Sequence, residues 1–377
     1  MLRFPNFIKE WEWKEAEQIF QSITDKNHPE DTVLTIQQGK GTLPRELSGR
    51  NILYDNTNIK NYKRVHFGDF IIHLRSFEGG LEMANEQGIV SPAYTILRNK
   101  KNIEFGFYKA YFRTNEFINH VLLKSVEGIR DGKQISYDAF KWLSIPYCQV
   151  EEQQKIADFL SLVDLRIEKQ RQLVESLKKY KRGLLKSIFK GKTANRILQD
   201  CINIGKAGGT PDSANSSYYN GTIPFLSISD MTVQGKYLNS TEKQITREGL
   251  DNSSAWLVPP KSLIISMYAS YGLVAINNIA LSTSQAMFNI IPKNEYLYYY
   301  LTYLAFTGYY HKMVSTGTQP NLNANKIRNI PIYMPSDTEK QNITKLLTEV
   351  DNKVNAELQY LLLLIQTKKA FLQQMFI

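Results

Sequence analysis

One feature constrains this chain more than any other: its second half repeats its first. EEQQKIADFLSLVD (151–164) matches TEKQNITKLLTEVD (338–351) at an offset of 187 residues. Glu152, Gln154, Ile156, Leu160, Val163 and Asp164 pair with Glu339, Gln341, Ile343, Leu347, Val350 and Asp351. The match runs on without a gap through Gln172/Gln359, Leu177/Leu364, Lys181/Lys368, Leu185/Leu372 and Phe189/Phe376. Upstream the offset becomes 185, where Gln134, Ala139, Lys141 and Ile145-Pro146 meet Gln319, Ala324, Lys326 and Ile330-Pro331. Further upstream it becomes 193, where Phe70-Ile71-Ile72 and Ser91-Pro92-Ala93 meet Leu263-Ile264-Ile265 and Ser284-Gln285-Ala286. Shifting offsets are what loop insertions between equivalent strands produce. A chain of 377 residues is then two copies of one domain-plus-helix unit.

The helical parts carry an a/d heptad from Ile156 through Leu160, Val163, Ile167, Gln170, Val174, Leu177, Lys181, Leu184 and Ile188. The second copy runs Ile343, Leu347, Val350, Val354, Glu357, Leu361, Leu364, Lys368, Phe371 and Met375, with polar breaks at the same two places. Neither stretch contains proline. Each stripe either packs on its own globular domain or the two pack on each other; the shared register and shared breaks favour mutual packing as a coiled coil. The other regions hold short β-like runs such as Ser262–Ser266, helix-like stretches near 104–126 and 294–313, and long polar loops. The expected fold is therefore α+β. Two globular α/β domains (1–149 and 193–336) are joined by two long helices (150–192 and 337–377) in an antiparallel coiled coil with a pseudo-two-fold repeat.

Several function classes are excluded by residues. Cys148 and Cys201 lie far apart, so a disulfide scaffold and a structural zinc site are not expected. Tyr360–Ile365, the longest apolar run, is far short of the ~20 residues of a membrane helix. The opening MLRFPNFIKEWEW has no apolar core of signal-peptide length, and a cytoplasmic location is expected. Gly191-Lys192-Thr193 resembles the end of a phosphate-binding loop, but Lys186 stands where its first glycine belongs and a helix precedes it. The five histidines show no ligand spacing, and neither an S-adenosylmethionine loop nor GxSxG is present. No catalytic, cofactor or metal residue is expected.

Binding features remain. The formal charge is +10, which permits a polyanionic partner. Lys178, Lys179, Lys181, Arg182, Lys186, Lys190 and Lys192 form an acid-free run, either a solvated helix face or a phosphate or partner contact. In the first domain, HLRSFEGG (73–80) and the turn around GIRDGK (128–133) present Arg75, Ser76, Arg130, Lys133 and Gln134 as candidate DNA contacts. In the second, SMYASYG (266–272) and TGTQPNLN (316–323) present Tyr268, Ser270, Tyr271, Thr318, Gln319 and Asn321. The two copies differ most in these loops while their helices agree. Two such domains near opposite ends of helices ~60 Å long would read two different half-sites on one duplex, at least about one helical turn of ~34 Å apart.

At this point the chain resembles the specificity (S) subunits of type I restriction-modification systems. The resemblance covers essentially the whole chain. It rests on Arg3-Phe4-Pro5-Asn6-Phe7 with Trp11-Glu12, and on Gly208-Gly209-Thr210-Pro211 with Tyr218-Tyr219-Asn220-Gly221 and Ile223-Pro224-Phe225. Ile145-Pro146 and Ile330-Pro331 before the paired helices belong to it too. It implies two target recognition domains, a non-catalytic role, and double-stranded DNA as a bipartite, asymmetric target. It also implies partners: two DNA methyltransferase (M) subunits that methylate adenine N6, and restriction (R) subunits. S-adenosylmethionine, ATP and magnesium would sit on those partners. The first domain departs from the pattern, since Gly39-Lys40-Gly41-Thr42-Leu43-Pro44 is only a loose counterpart of Gly-Gly-Thr-Pro. Two other classes stay open on residues alone: a coiled-coil scaffold that never touches DNA, and a nuclease or methyltransferase with an unrecognised site.

Overall fold

A computed structural model describes residues 2–49, 56–128, 134–268, 270–292, 294–313 and 322–376. The chain forms two compact units, Met1–Gln172 with Gln359–Ile377, and Leu173–Leu358. Two 40-residue helices, Val150–Phe189 and Asp337–Phe376, each contribute residues to both units. Acidic residues occupy both first turns, Glu151 and Glu152 in one and Asp337 and Glu339 in the other, where they oppose the helix dipole. The first helix stops before Gly191, which has φ +81°, a conformation glycine adopts at no steric cost.

Within each unit the two helical pieces run antiparallel. In the first, Phe159 packs edge-on against Phe371 at 5.0 Å, Lys368 Nζ lies 2.5 Å from Asp164, and the Arg166 guanidinium lies over the Tyr360 ring. In the second, Lys181 pairs with Asp351, and Leu185 shares a core with Ile343 and Leu347. The buried stripe holds Ile156, Leu160, Ile167, Val174, Ile343, Leu347 and Val354. Val163, Leu177, Leu184, Val350, Leu361, Leu364 and Phe371 are half-buried. At the end of the first helix the deepest positions are Leu185 and Phe189, one residue on from the heptad's Leu184 and Ile188. There the helix packs on the second unit's own core, which Ile343 and Leu347 of the other helix also enter.

The repeat is visible in the sheets, residue for residue. The first unit's antiparallel sheet orders its strands Phe20–Ile23, Thr95–Asn99, Phe70–Ile72, Glu82–Met83. The second orders them Ile204–Ala207, Met287–Ile291, Leu263–Ser266, Val274–Asn277, and adds Tyr237–Leu238 in parallel at the edge. Phe70 opposes Leu97 on one side and Met83 on the other. Adding 193 to each gives Leu263 opposite Ile290 and Ile276, the pairings observed. The side strands obey the same rule, Val65 opposite Gly88 and Val258 opposite Leu281. Trp13 opposes Pro146 as Ile197 opposes Pro331, which ties the start of each domain to the strand that leads into its helix.

Each domain is also clamped to its helices by repeated means. Arg3 donates through Nε and Nη2 to Glu152, both at 2.8 Å, while Lys192 Nζ lies 3.3 Å from Glu339, the repeat-equivalent carboxylate. Phe376 packs against Phe107 and Tyr111 at 5.1 and 5.6 Å. Phe189 packs against Tyr296 and Tyr300 at 5.8 and 5.1 Å. Trp11 closes the first of these clusters against Phe107 and Phe376. Much of the Arg3–Trp11 motif is thus explained by docking a domain on a helix.

Candidate nucleic-acid interface

The central strands Phe70–Ile72 and Leu263–Ser266 are buried and end at equivalent loops. Residues that leave a buried strand emerge at the sheet's edge, where a ligand can reach them. In the first unit that loop is His73-Leu74-Arg75. Arg75 and Leu74 are exposed, whereas Ser76 is fully buried and its Oγ accepts the His73 N–H at 2.8 Å. Ser76 therefore builds the turn and Arg75 is its outward cation. His73 Nδ1 accepts the Arg75 N–H at 3.3 Å, and burial pushes the imidazole pKa below its ordinary value, so the ring is neutral at pH 7. Gln134 is exposed and opens the short strand Gln134–Ile135, paired with Val126–Glu127. Arg130 and Lys133 lie outside the described residues.

In the second unit the same position is built differently. Ser266 Oγ donates to the Ser270 carbonyl at 2.8 Å and accepts the Leu273 N–H at 2.9 Å. Ser270 is exposed, with φ +44°. Tyr268 is 36% exposed, and the Tyr271 hydroxyl lies 2.6 Å from His311 Nδ1. Thr318, Gln319 and Asn321 lie outside the described residues. Leu322, just after them in sequence, donates its N–H to the Met267 carbonyl at 2.9 Å, beside the Tyr268 loop. Asn323 caps the helix Ala324–Arg328 by accepting the Lys326 N–H at 2.8 Å.

Gly208-Gly209 serves close packing. A Cβ on Gly208 would lie 2.2 Å from Thr283 Oγ1, and one on Gly209 2.2 Å from the Ser254 carbonyl carbon, so only glycine fits either place. In the basic run, Lys181 is turned toward Asp351 and Lys178 lies 2.8 Å from Glu175. Lys179, Arg182, Lys186 and Lys190 are exposed. The sequence reading passed over one element of the first unit, the hairpin Leu34–Gln37/Gly41–Pro44. Its signal was present in Gln37-Gln38-Gly39-Lys40-Gly41, two glycines spaced for a turn, both with positive φ. Among the described residues no three His, Cys, Asp or Glu side chains cluster to hold a metal ion, and no helix is long and apolar enough to cross a membrane.

Residues 192–362 match the family model described as the Type I restriction modification DNA specificity domain. The match takes in 171 of the 377 residues and lies in the second half of the chain. Among curated members, the specificity subunit of the type I restriction enzyme MjaIX of Methanocaldococcus jannaschii is 29% identical over 152 residues, 39% of this chain and 35% of the relative. That of HindI from Haemophilus influenzae is 32% identical over 134 residues, 34% and 29% of the two chains. That of EcoR124I/EcoR124II from Escherichia coli is 27% identical over 197 residues, 47% and 45%. These alignments span under half of the relatives' own length. Two solved structures share the fold over nearly the full chain. One, from work on complex assembly and conformational transition of the type I R-M system, gives a TM-score of 0.58 at 18% identity, covering 97% of each chain. The type I restriction-modification S subunit from M. genitalium gives 0.55 at 15% identity, covering 99% of this chain and 98% of that one. Both likenesses are of fold, and they run through both units.

Proposed function

We propose that this chain is the DNA sequence-specificity subunit of a type I restriction-modification enzyme and performs no catalysis itself. The observation that carries the reading is a conserved frame with divergent tips. Sheet register repeats at 193 residues, yet the loops after equivalent strands are His73-Leu74-Arg75 and Met267-Tyr268. A frame used twice with different tips suits two half-sites of different sequence. Exposed cations such as Arg75, Lys179 and Arg182 would supply phosphate contacts and register, and polar tip residues would read base edges.

The M subunits would dock on the helices, which leave leucines facing outward: Leu162, Leu165, Leu362 and Leu363 in the first unit, Leu173 and Leu346 in the second. They would bring S-adenosylmethionine and extrude the target adenine; R subunits would bring ATP- and magnesium-dependent cleavage. The test replaces residues 1–149 with the corresponding domain of another specificity subunit, followed by sequencing of the methylated motif. One half of the bipartite motif changes and the other stays; a change in both halves refutes the modular reading. Purified chain incubated alone with DNA, metal and S-adenosylmethionine shows no turnover; turnover would move it into the enzyme class.

A further inference from the structure

Strand Glu82–Met83 carries a carboxylate that its sheet does not need. Glu82 is completely buried, beside Phe70–Ile72. Shifted by 193, its counterpart in the second unit is Ala275, equally buried in an equivalent strand. A buried charge is costly unless its oxygens are satisfied, and a small apolar residue serves the same sheet position next door. What Glu82 does is grip the hairpin. Its Oε1 accepts the Gly39 N–H at 2.6 Å, its Oε2 accepts the Gly41 N–H at 2.9 Å, and Arg113 closes the ion pair behind it. A second constraint acts at Gly79, where a Cβ would collide with the Gln38 side-chain amide at 1.6 Å; Gln38 is seated on that bare backbone.

The hairpin tip so fixed exposes Gln37 and Gln38 on one wall of a cleft of about 350 Å3 whose other wall includes Arg75. Thr35, Ser48, His73 and Tyr94 complete its polar lining, and no carboxylate is among the lining residues. The geometry points to Gln37 and Gln38 as base-reading residues of the first half-site, acting beside Arg75, with Glu82 and Arg113 as the positioning residues that hold them. This deepens the specificity reading above and rests on it. A glutamine amide presents a donor and an acceptor that match adenine N6 and N7 in the major groove, while Arg75 suits guanine or phosphate. Pinning the tip before DNA arrives removes the ordering cost that a free loop would bear.

The experiment sequences the methylated motif written by the complete complex with M subunits, using wild type, the double variant Gln37→Ala/Gln38→Ala, and Glu82→Gln. The double variant gives up the Gln38 contact with Gly79 but keeps the Glu82 bonds to Gly39 and Gly41, so the hairpin stays anchored. It loses about tenfold or more in base discrimination at one or two adjacent positions of the first half, with the second half unchanged. Glu82→Gln keeps one acceptor and relaxes the same positions by less, although Glu82 is too buried to meet DNA. A uniform loss of methylation with an unaltered motif would mean phosphate contacts and overturn base reading. Wild type writing a bipartite motif that the double variant leaves intact sinks the hairpin assignment alone. If wild type writes no bipartite motif, the specificity reading falls and this inference with it.

Discussion

Asp164 and Asp351 are the same residue of the repeat, as are Lys368 and Lys181, yet the two ion pairs they make are unlike. Asp164 is 56% exposed and pairs with Lys368. Asp351 is 8% exposed and is reached by Lys181, by Lys236 Nζ at 3.1 Å and by the Tyr299 hydroxyl at 2.8 Å. Lys236 itself lies among the rings of Tyr237, Tyr298 and Tyr299, 4.6–5.1 Å from their centroids. The neighbours make the difference. Phe376 meets Phe107 and Tyr111 as Phe189 meets Tyr296 and Tyr300, and that spacing sets Ala110 where the second unit has Tyr299. With alanine there, the first unit keeps a cleft of about 540 Å3 lined by Lys109, Ala110, Asp164 and Lys368. One sequence signal has become a surface pair in one unit and a domain-to-helix bolt in the other.

The sharpest way to break this contrast is Asp351→Ala. It strands two ammonium groups in a partly buried site and is expected to cost ~3–5 kcal/mol in chemical denaturation; a loss below about 1 kcal/mol would equate the two pairs. Phe376→Ala and Phe189→Ala should each cost about 3–5 kcal/mol as well, since they empty equivalent aromatic clusters. Unequal losses there would show that the clusters, too, have diverged. Tyr299→Phe removes the hydroxyl's bonds to the Asp351 carboxylate, Lys236 and Thr348 without opening a cavity, and a loss of ~1.5–3 kcal/mol is expected. Asp164→Ala comes last, at under about 1 kcal/mol, with an effect that fades as salt rises from 0.05 to 0.5 M on the order of the Debye screening change. A salt-independent loss would mean that Asp164 is held as tightly as Asp351.

Much of the frame was legible in the sequence because strand pairing preserves numbering. The offset of 193 reappears as sheet register, and that of 185 in Pro146 and Pro331, which Trp13 and Ile197 oppose. The polar breaks at Lys181 and Lys368 announced a special position, but their partners did not follow from periodicity. A heptad says which face is buried and is silent on which residue of the opposite helix lies across from it. Leu185 and Phe189 displaced Leu184 and Ile188 because a domain core, absent from any helical pattern, lies against them. The site was harder to read. Ser76 looked like a polar loop residue until its hydroxyl was found closing the turn. Glu82 sits 43 residues from Gly39 in sequence, so the bond between them has no local signature.

The division of the helices between the units bears on how the chain is made. The first unit needs residues 359–376, and its core takes in Phe376, next to Trp11 and Phe107. Every residue of the second unit lies between those parts. A ribosome working from the N-terminus therefore emits the first sheet early, yet that unit cannot close until the second has been fully synthesised. The unit begun first is finished last, and a truncation within residues 359–376 should be felt in the first unit.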